Sequence, residues 1–227
     1  MKKKDSRNVY YIYLFRHGQT YYNKKGIFTG WKNSNLTPLG IKQAGIISKK
    51  LKNKKIQVAF QTKLGRSKDT LKIVLKNHPE CKKIFTDNRM IERNYGRLNG
   101  ISHKAFIENI GKKIYNLEVE GDAIENLSKG LRNKVQKLLG EEEYKAIHRG
   151  YNIPPPKGES FAMVEKRVKP FIKDLVRYIK KNKVNVAISA HGNSIRLFRK
   201  IWEKKSNEEA EKWFIPYDKV FIYKVRI

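Results

Sequence analysis

The 227-residue chain contains a single cysteine, Cys81. That excludes an intramolecular disulfide framework, and a lone thiol fits a reducing cytosol. No apolar run approaches the roughly 20 residues that a membrane-spanning helix requires. Acidic residues are scarce, 21 against 51 Lys and Arg, which leaves a formal charge of +30. The five histidines do not fall at metal-ligand spacing with the cysteine or with carboxylates, so no metal centre is expected. The basic N-terminus, Met1 to Arg7, is followed by a short strand-like run without a small-residue cleavage site. It reads as the start of a cytoplasmic domain, not as a signal peptide. There is no internal repeat and no low-complexity segment.

The excess of cations is spread along the whole chain. Pairs such as Lys49-Lys50, Lys82-Lys83, Lys112-Lys113 and Lys180-Lys181 fall mostly at predicted helix ends and turns, where Lys suits the helix dipole. This pattern describes a solvated surface and does not call for a nucleic-acid or membrane partner. A general positive field does favour a small anionic substrate.

The apolar residues outline an α/β fold. Val9 to Phe15 is rich in aromatic and β-branched side chains and reads as a buried strand. Further strands are expected at Ile56–Phe60, Lys82–Thr86, Val184–Ala190 and Val220–Val225. Thr37-Pro38 caps and opens a helix whose inward positions are Ile41, Ala44, Ile47 and Leu51. Arg66 begins another helix. Ser160 caps a long amphipathic helix with Phe161, Val164, Val168, Phe171, Leu175 and Ile179 inward and with Pro170 inside it. The alternation predicts a mostly parallel sheet with helices on both faces. Residues 101–150 are polar and helical, with breaks expected near Gly121 and Gly130, and read as an insertion over the site. One domain spanning residues 1–227 is expected.

Two of these strands end in the same way. The first runs into Arg16-His17-Gly18 and the fourth into His191-Gly192-Asn193. In open α/β sheets, ligands bind at the C-terminal ends of strands. Two histidines at two such ends suit phosphoryl transfer through a phosphohistidine. A neutral imidazole attacks phosphorus without a metal and passes the group on. The transfer needs charge compensation more than covalent help. Arg16, beside His17, supplies it, as does Arg66 on the first turn of a helix after a strand. His191 can stabilise charge on the transferring oxygens. Glu92 is the candidate acid and base for the entering and departing oxygens.

In order along the chain stand Arg16-His17-Gly18, Phe28-Thr29-Gly30-Trp31, Glu92-Arg93-Asn94-Tyr95-Gly96, Arg149-Gly150-Tyr151, Gly158-Glu159-Ser160 and Ala190-His191-Gly192-Asn193-Ser194. Together they resemble the histidine phosphatase superfamily, and within it the cofactor-dependent phosphoglycerate mutases. The resemblance implies a three-layer α/β sandwich with a helical insertion over the active site. It implies interconversion of 3-phosphoglycerate and 2-phosphoglycerate, primed by 2,3-bisphosphoglycerate. The alternative is a histidine phosphatase hydrolysing small phosphate monoesters. By resemblance, His17 is the nucleophile, and Thr20, Asn23, Thr29, Gly30, Gly192 and Asn193 surround the phosphates. Arg93, Tyr95, Lys104, His148 and Arg149 correspond to the substrate clamp, and a homo-oligomer is compatible with the resemblance.

Two departures stand out. His148 takes the place of the first of two clamp arginines, with Arg132 and Lys145 nearby in sequence as candidate replacements. The segment Ile215-Pro216-Tyr217-Asp218 departs from the family's Ile-Pro-Thr-Gly, at the end that helps to cover the site.

Overall fold

A computed structural model describes residues 8–118 and 127–227. The first apolar run forms β1, Val9–Arg16, and the single turn α1, Tyr21–Lys24, follows it. Ile12 and Leu14 of β1 enter one apolar cluster, Tyr13 and Phe15 another. Burial on both faces is why this strand shows no polar alternation. The remaining strands are β2, Val58–Gln61; β3, Lys83–Thr86; β4, Val186–Ala190; and β5, Val220–Arg226. All five expected strands are therefore present, in the order β3-β2-β4-β1-β5. β5 alone runs antiparallel, against β1.

Helices α2, Pro38–Leu51, and α3, Gly65–Leu75, cover one face of the sheet. Helices α6, Phe161–Asn182, and α7, Gly192–Glu203, cover the other. The caps form as expected: the Gly40 N–H donates to Thr37 Oγ1 at 3.0 Å and the Met163 N–H to Ser160 Oγ at 3.2 Å. The predicted inward stripe of α6, from Phe161 to Ile179, is buried, and the helix continues through Pro170. Each such aliphatic or aromatic side chain contributes about 1.5–3 kcal/mol by leaving water, which holds α6 on the sheet.

One inward position differs. Ile41 is 53% exposed. The first turn of α2 meets the loop after β1 through bare backbone: a Cβ on Gly40 would lie 2.1 Å from the Gln19 carbonyl, and one on Gly18 2.1 Å from the Gly40 carbonyl. Gly40 takes the contact, so the next residue turns outward.

The insertion is a hairpin of α4, His103–Glu118, and α5, Lys129–Arg149. Gly121, one expected break, lies outside the described residues. Gly130, the other, sits in the first turn of α5, where Ser128 is the N-cap. The helices touch backbone to backbone, since a Cβ on Gly111 would lie 1.9 Å from Gln136 O and one on Gly140 2.1 Å from Ile107 O. Phe28, Tyr95, Leu98, Phe106 and Ile147 form the hairpin's own small core. A short helix unmarked by the sequence, α8, Asn207–Lys212, precedes the segment leading to β5. No described helix is long and apolar enough to cross a membrane.

Candidate active site

The parallel pairing of β1 with β4 sets Arg16 opposite Ala190, and the His17 N–H donates to Ala190 O at 3.0 Å. Sheet pairing alone therefore brings together two histidines 174 positions apart in the chain, with ring centroids 5.0 Å from each other. Both are buried.

The hydrogen bonds of His17 fix its tautomer. Its Nδ1 lies 2.7 Å from the Gly18 carbonyl, which can only accept, so Nδ1 carries the proton. Its Nε2 receives the Arg66 Nε–H at 3.2 Å and therefore presents a lone pair. Burial, reinforced by the Arg66 and Arg16 charges, holds the imidazole pKa well below the usual 6.5. The ring is thus neutral at physiological pH, as a nucleophile must be.

His191 lies behind His17. Its Nε2 is 2.8 Å from the hydroxyl of Thr62, at the end of β2, and burial together with nearby arginines keeps it neutral as well. It is in ring contact with His17 but does not face the cavity.

That cavity, about 240 Å³, opens above His17. Arg16, Asn23, Thr29, Gly30, Arg66, Glu92, Tyr95, His148, Arg149, Gly192 and Asn193 all line it. Most of the residues singled out in the sequence thus converge on one space. Glu92 is buried, and its Oε1 accepts the N–H groups of Arg93 at 2.8 Å and Asn193 at 3.2 Å. Asn193 also donates from Nδ2 to the Tyr95 hydroxyl at 3.1 Å. The carbonyl oxygen of Asn23 accepts from the Thr20 N–H and hydroxyl, which leaves its amide N–H groups for a ligand. Arg66 is steered by two carbonyls, Gly30 at 2.7 Å and Lys32 at 2.8 Å, and burial lowers its pKa to about 10. Arg16 donates to Ile215 O at 2.9 Å and stacks on the Tyr217 ring at 4.0 Å, while its buried Nε has no protein partner.

Besides His191, three expected positions lie elsewhere. Thr20 is fully buried and caps α1, away from the cavity. Arg93 is turned into the protein and donates to the carbonyls of Glu159, Ile147, His148 and Ile153. It moors the end of α5 to the Glu92 loop and is not among the residues that line the cavity. The Lys104 side chain is 86% exposed and meets Glu108 at 3.9 Å. Successive residues on a helix point about 100° apart, so with His103 turned to the cavity, Lys104 faces solvent.

His148 lines the cavity, but burial and the Arg149 charge push its pKa to about 3, so it supplies no cation. Neither Arg132 nor Lys145 is among the lining residues. Arg196, on the second turn of α7, is. It lies three residues after Asn193, on the same helix face, and that spacing was the one available signal for it. His103 and Phe214 line the cavity too without a sequence signal, whereas Tyr217 comes from the segment expected to cover the site.

The segment that departs from the family pattern is held through its backbone. Arg149 donates to Glu211 O, Arg196 to Trp213 O, Arg16 to Ile215 O and Lys50 to Asp218 O. The contacts at Ile215 O and Asp218 O do not depend on side-chain identity, whereas the stacking of Tyr217 on Arg16 does.

The arrangement can take up a phosphoryl group at His17 Nε2, flank it with guanidinium groups and exchange a proton at Glu92. Among the described residues, no group of three or more His, Cys, Asp or Glu is placed to hold a metal ion.

The family model for the histidine phosphatase superfamily (branch 1) matches residues 12–118 and 125–226. A 2,3-bisphosphoglycerate-dependent phosphoglycerate mutase of Parvibaculum lavamentivorans is 31% identical over 88% of this chain and 82% of its own. Among solved structures, a phosphoglycerate mutase from Bacillus anthracis aligns with a TM-score of 0.68 at 20% identity, covering 96% of this chain and 88% of that one. The alpha-ribazole phosphatase from Shigella flexneri aligns with a TM-score of 0.67, also at 20% identity, covering 93% and 89%. Matched over most of its length by that family model, this chain belongs to the histidine phosphatase superfamily, with 2,3-bisphosphoglycerate-dependent phosphoglycerate mutases among its relatives.

Proposed function

We propose that this protein is a phosphoglycerate mutase that interconverts 3-phosphoglycerate and 2-phosphoglycerate, a step of glycolysis and gluconeogenesis, through a phosphohistidine at His17. One observation carries the reading. Arg16, Arg66, Arg149 and Arg196 line a single cavity in which, among the described residues, Glu92 is the only carboxylate. That is more positive charge than one phosphate monoester needs, and it suits a substrate with a second anionic group.

His17 Nε2 bonds to phosphorus while Nδ1 keeps its proton on Gly18 O. Arg66 moves its Nε–H from His17 to a phosphoryl oxygen, and Arg16 and the Asn23 amide hold the others. Glu92 takes the proton of the acceptor hydroxyl as the P–Nε2 bond breaks. It returns that proton to the departing oxygen when a phosphoryl group comes back to His17. The orphaned Nε groups of Arg16 and Arg196 fit a polyanionic primer, with Arg16, Arg66, Arg149 and Arg196 as the residues that would hold it. When bound, 2,3-bisphosphoglycerate supplies the phosphoryl group that charges His17. The names of the relatives support this dependence.

A second reading, hydrolysis of small phosphate monoesters, is favoured by the neutral His148 and the outward Lys104, which thin the clamp on one side. The decisive experiment is conversion of 3-phosphoglycerate with and without 2,3-bisphosphoglycerate, with inorganic phosphate counted in the same tube. Bisphosphate-stimulated isomerisation with little free phosphate is the expected result. Phosphate release without isomerisation would replace the mutase by the phosphatase.

A further inference from the structure

Arg16 is oriented by a carbonyl and by an aromatic face. Its Nη1 donates to Ile215 O at 2.9 Å, and its Cζ stands 4.0 Å from the centroid of the Tyr217 ring. The start of α7 lies against the same guanidinium, since a Cβ on Gly192 would sit 3.4 Å from its Cζ. Arg16 lines the cavity, and its Nε is buried without a protein partner. One short segment supplies both holds. Ile215 is buried in the core, Pro216 restricts the backbone that follows it, and Lys50 donates to Asp218 O at 2.8 Å on the other side of Tyr217. The Tyr217 ring that this turn presents lies 6.4 Å from the His17 ring and 6.4 Å from that of Phe214. A carboxylate would also orient a guanidinium, but it would compete with a phosphate for the same donors. A carbonyl and a ring face fix the plane of the group and leave its charge for an anion.

We propose that Tyr217 is a positioning residue for phosphoryl transfer: its ring holds the Arg16 guanidinium in the plane from which Nε reaches an oxygen of the group on His17. As the P–Nε2 bond forms and the ester P–O bond breaks, Arg16 donates to a non-bridging oxygen and keeps its own protons. Tyr217 exchanges no proton, so its hydroxyl is dispensable and its ring is not. The departure at Ile215-Pro216-Tyr217-Asp218 thereby adds a contact to the nucleophile's neighbour. This rests on the reading of His17 as the phosphoryl carrier, but not on whether the group then passes to an organic hydroxyl or to water.

The test is calorimetric binding of orthovanadate, which takes the five-coordinate shape of a phosphoryl group in transfer, to the full chain. Tyr217→Leu removes the ring face and should weaken binding by about 3- to 30-fold, the range for a partly desolvated cation–π contact. Tyr217→Phe should stay within about twofold of the wild type, because the ring face is kept. The decisive readout is a double-mutant cycle with Arg16→Lys, which keeps a charge but not the flat fork. In that background Tyr217→Leu should cost less than about twofold, because the residue it acts through is gone. Equal losses in both backgrounds would make Tyr217 a general support for the covering segment and would overturn the proposal. So would a Tyr217→Phe variant as weak as Tyr217→Leu, or a Tyr217→Leu variant that binds like the wild type. If Tyr217→Leu fails to fold, as judged by thermal unfolding, Tyr217→Thr, which restores the family's Ile-Pro-Thr, is read in the same cycle. A wild-type protein that does not bind orthovanadate would overturn the proposal together with the phosphohistidine. A cycle that shows the coupling in a protein that makes no 2-phosphoglycerate would sink the mutase reading alone.

Discussion

The floor and the roof of the cavity are built by different means. The floor is the C-terminal edge of β1 and β4, where His17, His191, Arg16 and Arg66 are held by ladder bonds, by Thr62 and by the carbonyls of Gly30 and Lys32. The roof is the α4/α5 hairpin and the segment after α8, which contribute His103, His148, Arg149, Phe214 and Tyr217. On the floor, the polar groups are tied to strand ends and the loops beside them, though the Nε of Arg16 and the Nδ1 of His191 have no protein partner. On the roof, the cations are tied to carbonyls of a covering loop, and the hairpin rests on a small aromatic core. A preorganised floor serves the transfer, because charges already in place need no reorganisation as the bond breaks. On the proposed reading, a separately held roof sets which organic group is accepted.

The contrast can be broken first on the floor. On the proposed reading, His17→Ala removes the atom that receives phosphorus, and turnover should fall by roughly 10⁴-fold or more, with no labelled protein after incubation with a phosphoryl donor. A labelled His17→Ala protein would refute the nucleophile. Arg66→Lys keeps a charge but cannot meet His17, Gly30 and Lys32 together. Its kcat should drop by about 10²- to 10³-fold, more than its KM rises, in steady-state kinetics.

The roof is expected to answer in stability. Gly111→Ala places a methyl against the Gln136 carbonyl, so α4 and α5 must separate. A loss of about 1–3 kcal/mol in denaturant unfolding is expected. If the fold is unaffected, the hairpin does not pack backbone to backbone.

Acid acts on both regions with one sign. His17, His191, His103 and His148 all have folded-state pKa values below the usual 6.5. The unfolded chain therefore binds protons first. Their contribution is complete above about 6.5 and is lost as pH falls toward the folded values, which for His148 means down to about 3. In His148→Gln, stability should fall less steeply across that window, by a slope approaching one proton. An unchanged slope would mean that His148 is not buried in its neutral form. The smallest effect belongs to Lys104→Ala, where kcat/KM should change less than about twofold, since the side chain faces water. A large loss would show that Lys104 reaches the ligand after all.

Legibility in the sequence follows the same division. His17, Glu92, Arg66 and Asn193 could be read because each sits in a short motif whose backbone is fixed by a strand end or a tight turn, so local order implies spatial order. Arg93 and Lys104 lie in comparable stretches, yet the first faces inward to four carbonyls and the second faces out. Side-chain direction there depends on how the hairpin rotates over the sheet, which no local pattern records. Arg196 and Tyr217 reach the cavity only because α7 and the chain after α8 fold back across the sheet edge.

The sequence by itself determined the layers and the chemistry. Hydrophobic periodicity names the strands and helices because burial is repaid at each apolar position, and only a few residue types can carry a phosphoryl group, balance its charge or move its proton. Tertiary structure alone decided which cations line the cavity. A guanidinium is useful only where it is enclosed, steered by carbonyls and left with a donor to spare, and those conditions come from segments far apart in the chain.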